Sequence, residues 1–173
     1  MSATVSAVVL GGKDLGAQIR AEVKRRFDRL RERGIIPGLA VVTVGESPAG
    51  NPYVRSKCRA AEEAGAKAQV TRLPASTTES ALREHLLALS GEPWIHGIIL
   101  QLPLPPGLHE DRHLEDIAAA KDVDGIHPLN VGRWVHGLPA LKPATPLGVI
   151  ELLRRHCGDL SGIDRIHVFA GVG

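Results

Sequence analysis

The stretch Pro37-Gly38-Leu39-Ala40-Val41-Val42-Thr43-Val44-Gly45 decides the fold. It is a valine-rich apolar run without alternation, and turn residues bound it on both sides. Strict alternation would mark a strand with one wet face. A continuous run marks a strand covered on both faces, as in a parallel sheet. Upstream, Leu15, Ile19, Val23, Phe27 and Leu30 recur at helical spacing, and Gly34 follows as the stop. Val5 to Leu10, earlier still, reads as a short strand. Downstream, residues 46–50 have loop composition. Asn51 then serves as N-cap and Pro52 as first helical residue, with the helix running to about Ala64 and ending at Gly65.

The alternation continues along the chain. Lys67 to Leu73 is a strand, and Ser76 or Thr77 caps a helix through Leu89. Ile95 to Leu102 is a third buried strand, ending in Pro103-Leu104-Pro105-Pro106-Gly107. Glu110 to Ala119 reads as a short helix and residues 121–144 as a long irregular stretch. Loops of that length in compact domains usually carry function. Thr145-Pro146 opens a helix to about His156. The chain then closes on His167-Val168-Phe169-Ala170-Gly171-Val172-Gly173, a strand followed by glycines. Strand–helix alternation predicts a three-layer α/β sandwich with a mainly parallel sheet.

Composition excludes several classes. Of the 173 residues, 43% are hydrophobic and 23% charged, which suits a globular protein. Aromatics make up 3%, so the core must be aliphatic. A net charge of +2 without a basic stripe argues against nucleic acid. The arginine pairs at 25–26 and 154–155 read as solvated helix faces. No run approaches the roughly 18 apolar residues of a membrane span. The N-terminus does not read as a signal peptide, so a cytoplasmic setting is expected by elimination. Cys58 and Cys157 form no C-x-x-C pair, and each reads as a small buried hydrophobe on a helix.

Chemistry concentrates where strands end, the edge at which open α/β sheets bind ligands. Tyr53 and Lys57 stand four residues apart and share one helical face. Lys57 is either a solvated charge or, beside a polar partner, an amine able to act as a base. Tyr53, the single tyrosine, either packs with its hydroxyl wet or lies against a planar ring. The amide of Gln101 is either satisfied by local backbone or fixes a lysine or a substrate carbonyl. Asp122 and Asp124, in Lys121-Asp122-Val123-Asp124-Gly125, are either turn residues or acceptors for paired N–H donors. His109-Glu110-Asp111-Arg112-His113 matches H-E-x-x-H, but it follows Pro105-Pro106-Gly107 and falls at the first turn of a short helix. A zinc protease needs that motif inside a supported helix with a third ligand, so no metal is expected.

Four segments in one order, V-G-E-S-P-A…Y-V-R-S-K, G-I-I-L-Q-L-P-L-P, K-D-V-D-G-I-H-P-L-N-V-G-R and P-A-T-P-L-G-V-I-E-L-L, resemble the bifunctional methylenetetrahydrofolate dehydrogenase/cyclohydrolase family. The resemblance covers nearly all of the chain. It implies an N-terminal folate domain and a C-terminal Rossmann domain for NADP, or NAD in some members. It implies oxidation of 5,10-methylenetetrahydrofolate to the methenyl form and hydrolysis to 10-formyltetrahydrofolate, a step of one-carbon metabolism that serves purine biosynthesis. It assigns Lys57 as the key catalytic residue, Tyr53 to orient the folate, and Gln101 to position and tune Lys57. Asp124 would hold the pterin edge, with Asp122 a weaker candidate. Gly171 and Gly173 would begin the nucleotide loop. The implied partners are a small-molecule folate and a second copy of the chain, with no nucleic acid and no membrane.

The implied boundaries are residues 1–143 for the folate-binding catalytic domain and 144–173 for a linker helix and the start of a Rossmann domain. Three positions depart from the family pattern. Gly50-Asn51-Pro52-Tyr53 stands for S-x-x-Y, Ala144 stands for the cysteine of P-C-T-P, and the chain ends at Gly173, where V-G-R-S-x-x-V-G would begin. Hydride transfer and NADP binding by these residues alone are therefore not expected. Two rival readings stand beside this one: a non-catalytic folate-binding module, and an unrelated α/β interaction domain.

Overall fold

Three parallel strands form a sheet at the centre of the described residues. The computed structural model describes residues 9–45 and 51–161. Within them run α1 (Gly12–Glu32), β1 (Gly38–Val44), α2 (Pro52–Ala64), β2 (Lys67–Leu73), α3 (Glu79–Gly91), β3 (Gly97–Leu100) and α4 (Glu110–Glu115). A 3-10 turn (Ala119–Lys121), α5 (Pro128–Val135) and α6 (Ala144–Cys157) follow.

β1 is the middle strand, paired in parallel with β2 from Gly38↔Lys67 to Val44↔Leu73 and with β3 from Leu39↔Gly97 to Val42↔Leu100. Every β1 residue except Leu39 is buried, Thr43 included, as a strand covered on both faces requires. The two-residue period of the strands sends alternate side chains to opposite faces. Ala40, Val42, Val44, Ile98 and Leu100 join Leu82, Leu86 and Leu89 of α3 on one face. Val41 and Ile99 join Val54 and Cys58 of α2 on the other. Helix, sheet and helix thus form the three expected layers. The core side chains are aliphatic, with Trp94 only packed against the edge of the larger cluster.

Local chemistry explains most boundaries. Asn51 Oδ1 accepts from Tyr53 N at 2.8 Å, Pro52 occupies the first turn, and Gly65 ends α2 in the left-handed region at φ 102°.

Five expectations change. The cap of α3 is Thr78, whose hydroxyl accepts from Ala81 N at 3.2 Å; Thr77 instead closes a turn onto Pro74 O. β3 is shorter than the apolar run, because regular pairing with β1 spans only Gly97 to Leu100; His96 N and Gln101 N each add a single bond to β1 beyond it. The α4 helix stops at Glu115; residues 116–118 are a non-helical turn, and the 3-10 turn begins only at Ala119. The stretch 121–144 is not irregular throughout. His127 caps α5 by accepting from Leu129 N, and Pro128 supplies the first helical residue, the same start signal as Asn51-Pro52. Cys58 is buried as expected, but Cys157 on the last turn of α6 is exposed. The strand expected at Val5 to Leu10 lies outside the described residues up to position 8, and Val9 and Leu10 belong to no element. The glycine-ended strand near the C-terminus lies outside them too.

Candidate functional site

The site begins where the chain leaves the sheet in opposite directions. After β1 it enters α2 on one face, and after β3 it passes Gln101 into a turn containing the cis Leu102–Pro103 bond. The divergence opens a crevice at the carboxyl ends of β1 and β3. Lys57 enters it from α2, one helical turn beyond Tyr53.

Lys57 Nζ lies 3.4 Å from Gln101 Oε1 and 3.8 Å from Asp124 Oδ2. Gln101 satisfies both of its open readings. Its Nε2 donates to Leu102 O at 2.8 Å, and that local bond leaves the amide oxygen turned to the lysine. Its backbone N donates to Val42 O at 2.8 Å, which ties the residue to the end of β1. Asp124 is carried by the loop after the 3-10 turn. Burial pushes its carboxyl above the ordinary aspartate value; the Lys57 charge pulls it down and the Asp122 charge pushes it up again.

Asp122 is 2% exposed and makes a different set of contacts. Its oxygens accept from Gly125 N at 3.0 Å, His127 N at 2.9 Å and Asn130 Nδ2 at 2.9 Å. A parallel bridge to Ile98 attaches its backbone to β3. Tyr53 is 74% exposed and presents an uncovered ring. The structure therefore brings Lys57, Gln101 and Asp124 together, buries Asp122 among its contacts with Gly125, His127 and Asn130, and leaves Tyr53 one turn away. Gly171 and Gly173 lie outside the described residues.

Two hollows meet at the Lys57–Asp124 pair. One, of about 300 Å³, is lined by Lys57, Gln101, Asp124, Ile126, Pro143 and Thr145 among others. The other, about 580 Å³ and mainly apolar, runs between α1, α2 and the sheet. Sequence reasoning did not assign the first residues of α6 to the site. They arrive because Ala144 N donates to Asp124 O at 3.1 Å, and because Gly125 packs against the Lys142–Pro143 backbone. Asn130 was also missed; an asparagine inside an otherwise apolar helix start was its only signal.

The His109–His113 segment is engaged elsewhere. His109 contacts Glu79, Glu110 Oε1 accepts from Leu104 N at 3.0 Å, and buried His113 holds Asp116 Oδ2 at 3.0 Å. Among the described residues no group of three or more His, Cys, Asp or Glu side chains is arranged to hold a metal ion. Among them, too, no helix is long and apolar enough to cross a membrane.

The chain is similar to known proteins in family match, sequence and fold. The family described as "Tetrahydrofolate dehydrogenase/cyclohydrolase, catalytic domain" matches residues 10–124. The chain is 47% identical over 156 residues to Bifunctional protein FolD 2 of Geobacter metallireducens, covering 90% of this chain and 55% of that protein. It is 48% identical over 165 residues to the Nitratidesulfovibrio vulgaris Bifunctional protein FolD, covering 95% and 57%. The solved bifunctional FolD from Campylobacter jejuni superposes with a TM-score of 0.86 at 42% identity, over 91% of this chain and 56% of that one. The Trypanosoma brucei methylenetetrahydrofolate dehydrogenase-cyclohydrolase, solved with NADP cofactor and inhibitor, gives 0.83 at 32%, over 92% and 55%. The chain spans about half the length of the curated relatives it matches. By family match, sequence identity and fold, the chain belongs to the tetrahydrofolate dehydrogenase/cyclohydrolase family.

Proposed function

We propose that this chain carries the folate site of a methylenetetrahydrofolate dehydrogenase/cyclohydrolase. The observation that carries the reading is the Lys57 amine held between the Gln101 amide oxygen and the Asp124 carboxylate, at the crevice of a parallel sheet. The methenyl carbon is an electrophile. Water adds to it, one of the water's protons passes to the Lys57 amine, and one of the two C–N bonds then breaks as the remaining hydroxyl proton is released to solvent, leaving the formyl group. The protonated lysine returns that proton to the leaving nitrogen. Gln101 orients the amine without adding charge, because an amide oxygen only accepts. Asp124 accepts from the N–H edge of the pterin, and the exposed ring of Tyr53 provides a flat surface for the substrate. In this reading Asp122 shapes the loop rather than touching the folate.

NADP enters as the hydride acceptor of the dehydrogenase step, on the resemblance and on the NADP complex of the trypanosomal relative. Gly171 and Gly173 are the residues we assign to it. The start of α6 at Ala144 supports a boundary between a folate unit, residues 1–143, and a nucleotide-binding Rossmann unit beginning with 144–173. A homodimer, a cytoplasmic setting and a supply of formyl groups to purine biosynthesis belong to the same reading.

The test is decay of 5,10-methenyltetrahydrofolate absorbance with the unmodified protein and with Lys57→Met. Loss of a general acid–base group lowers the rate by about a hundredfold or more. Equal rates for the two proteins would remove the lysine from the chemistry and end this reading.

A further inference from the structure

We propose that Asn130 is a positioning residue for the Lys57–Asp124 pair and that it acts through Asp122; this rests on the folate-site reading above. The Asp122 carboxylate closes the loop that carries Asp124. Two of its three donors are backbone N–H groups of that loop, Gly125 and His127. The third, Asn130 Nδ2 at 2.9 Å, is a side chain from α5. Asn130 is 5% exposed, and the same nitrogen donates to Ala119 O at 2.8 Å. Both amide hydrogens are thus used, one on the turn before Asp122 and one on its carboxylate. The amide joins α5, the 3-10 turn and the Asp122 loop at one point, and Asp124 lies inside the span so closed.

The residue type also fits this task. Asp122 acts on Asp124 by charge as well as by geometry. A lysine or arginine at position 130 would hold the carboxylate but cancel its field at Asp124. A neutral amide fixes the carboxylate and leaves its charge in place. The titratable groups around it are Asp122 itself, His127, and Asp124 with Lys57 beyond.

The experiment measures methenyltetrahydrofolate hydrolysis and urea midpoints of the intact protein in five variants: Asn130→Ala, Asp124→Asn, the double variant, Asn130→Asp and Lys57→Met. Asn130→Ala is expected to lower kcat/KM about tenfold in the native background and less than about twofold when Asp124 is already Asn, because coupled residues are not additive. Asn130→Asp places a carboxylate against Asp122 and is expected to be impaired near neutral pH. Its rate relative to the unmodified protein should recover as pH falls, because the protonated acid restores a donor to Asp122. Asn130→Ala shows no such recovery. Equal losses in both backgrounds, or parallel pH profiles for the two Asn130 variants, would overturn the proposal. Should Asn130→Ala fail to fold, the pH profile of Asn130→Asp decides alone. A Lys57→Met protein as active as the unmodified one would instead overturn the folate-site reading itself.

Discussion

Asp124 holds opposing demands in one side chain. Burial raises its pKa above the ordinary 3.8, the Lys57 charge lowers it, and the Asp122 charge raises it further, with the net shift upward. Below pH 3.8 the carboxyl is protonated in both the folded and the unfolded chain. As pH rises through the elevated folded value, the folded chain takes on a charge that its surroundings disfavour, and stability is lost. Asp124→Asn should therefore raise the urea midpoint at pH 7, and the gain should shrink as pH approaches 3.8. A variant no more stable than the native protein at pH 7 would mean that the attraction of Lys57 outweighs burial. In the proposed function the same substitution removes the acceptor for the pterin edge. The site would then hold a charge at the expense of stability, as functional sites commonly do.

Among the elements, the junction between the Asp122–Gly125 loop and the start of α6 controls the width of the crevice. Gly125 sits at φ 69°, and a β-carbon there would lie 2.2 Å from the Lys142 carbonyl. Both the backbone conformation and the close approach demand glycine. Gly125→Ala should cost about 2–4 kcal/mol from left-handed strain together with overlap. It should also push α6 away from Asp124, because Ala144 N is bonded to Asp124 O. Urea unfolding measures the first effect and folate affinity the second. An unchanged midpoint would show that the loop and α6 separate without cost. Two helices that feed the site begin alike: Asn51-Pro52 opens α2 and His127-Pro128 opens α5, each with a side-chain acceptor followed by a preset φ.

For the whole molecule, the two faces of the sheet divide labour. Leu82 and Leu86 of α3 are fully buried on the face opposite α2, within the larger core cluster. Leu86→Ala should cost about 2–5 kcal/mol by removing buried methyl groups and leaving a cavity. If the proposed function holds, folate affinity of the folded fraction should persist, since Lys57 is carried on the other face. Loss of affinity without loss of stability would contradict that division. The amino-acid sequence by itself determined the three described strands, most of the helices and the end of the sheet at which Lys57 and Gln101 lie. Leu39 to Val44 is apolar except for Thr43, and caps and glycine stops act within a few residues of chain, so a linear reading reaches them. It also placed Lys57 and Gln101 at neighbouring strand ends. Only the tertiary structure decided which carboxylate meets the lysine. Asp122 and Asp124 look alike in sequence, but the bridge to Ile98 and the Asn130 amide turn the first inward and leave the second facing Lys57. It alone decided that Thr78 caps α3, that Cys157 is exposed, and that α6 lines the cavity. Each of these depends on which distant backbone packs against the residue, and short-range pattern carries no record of that.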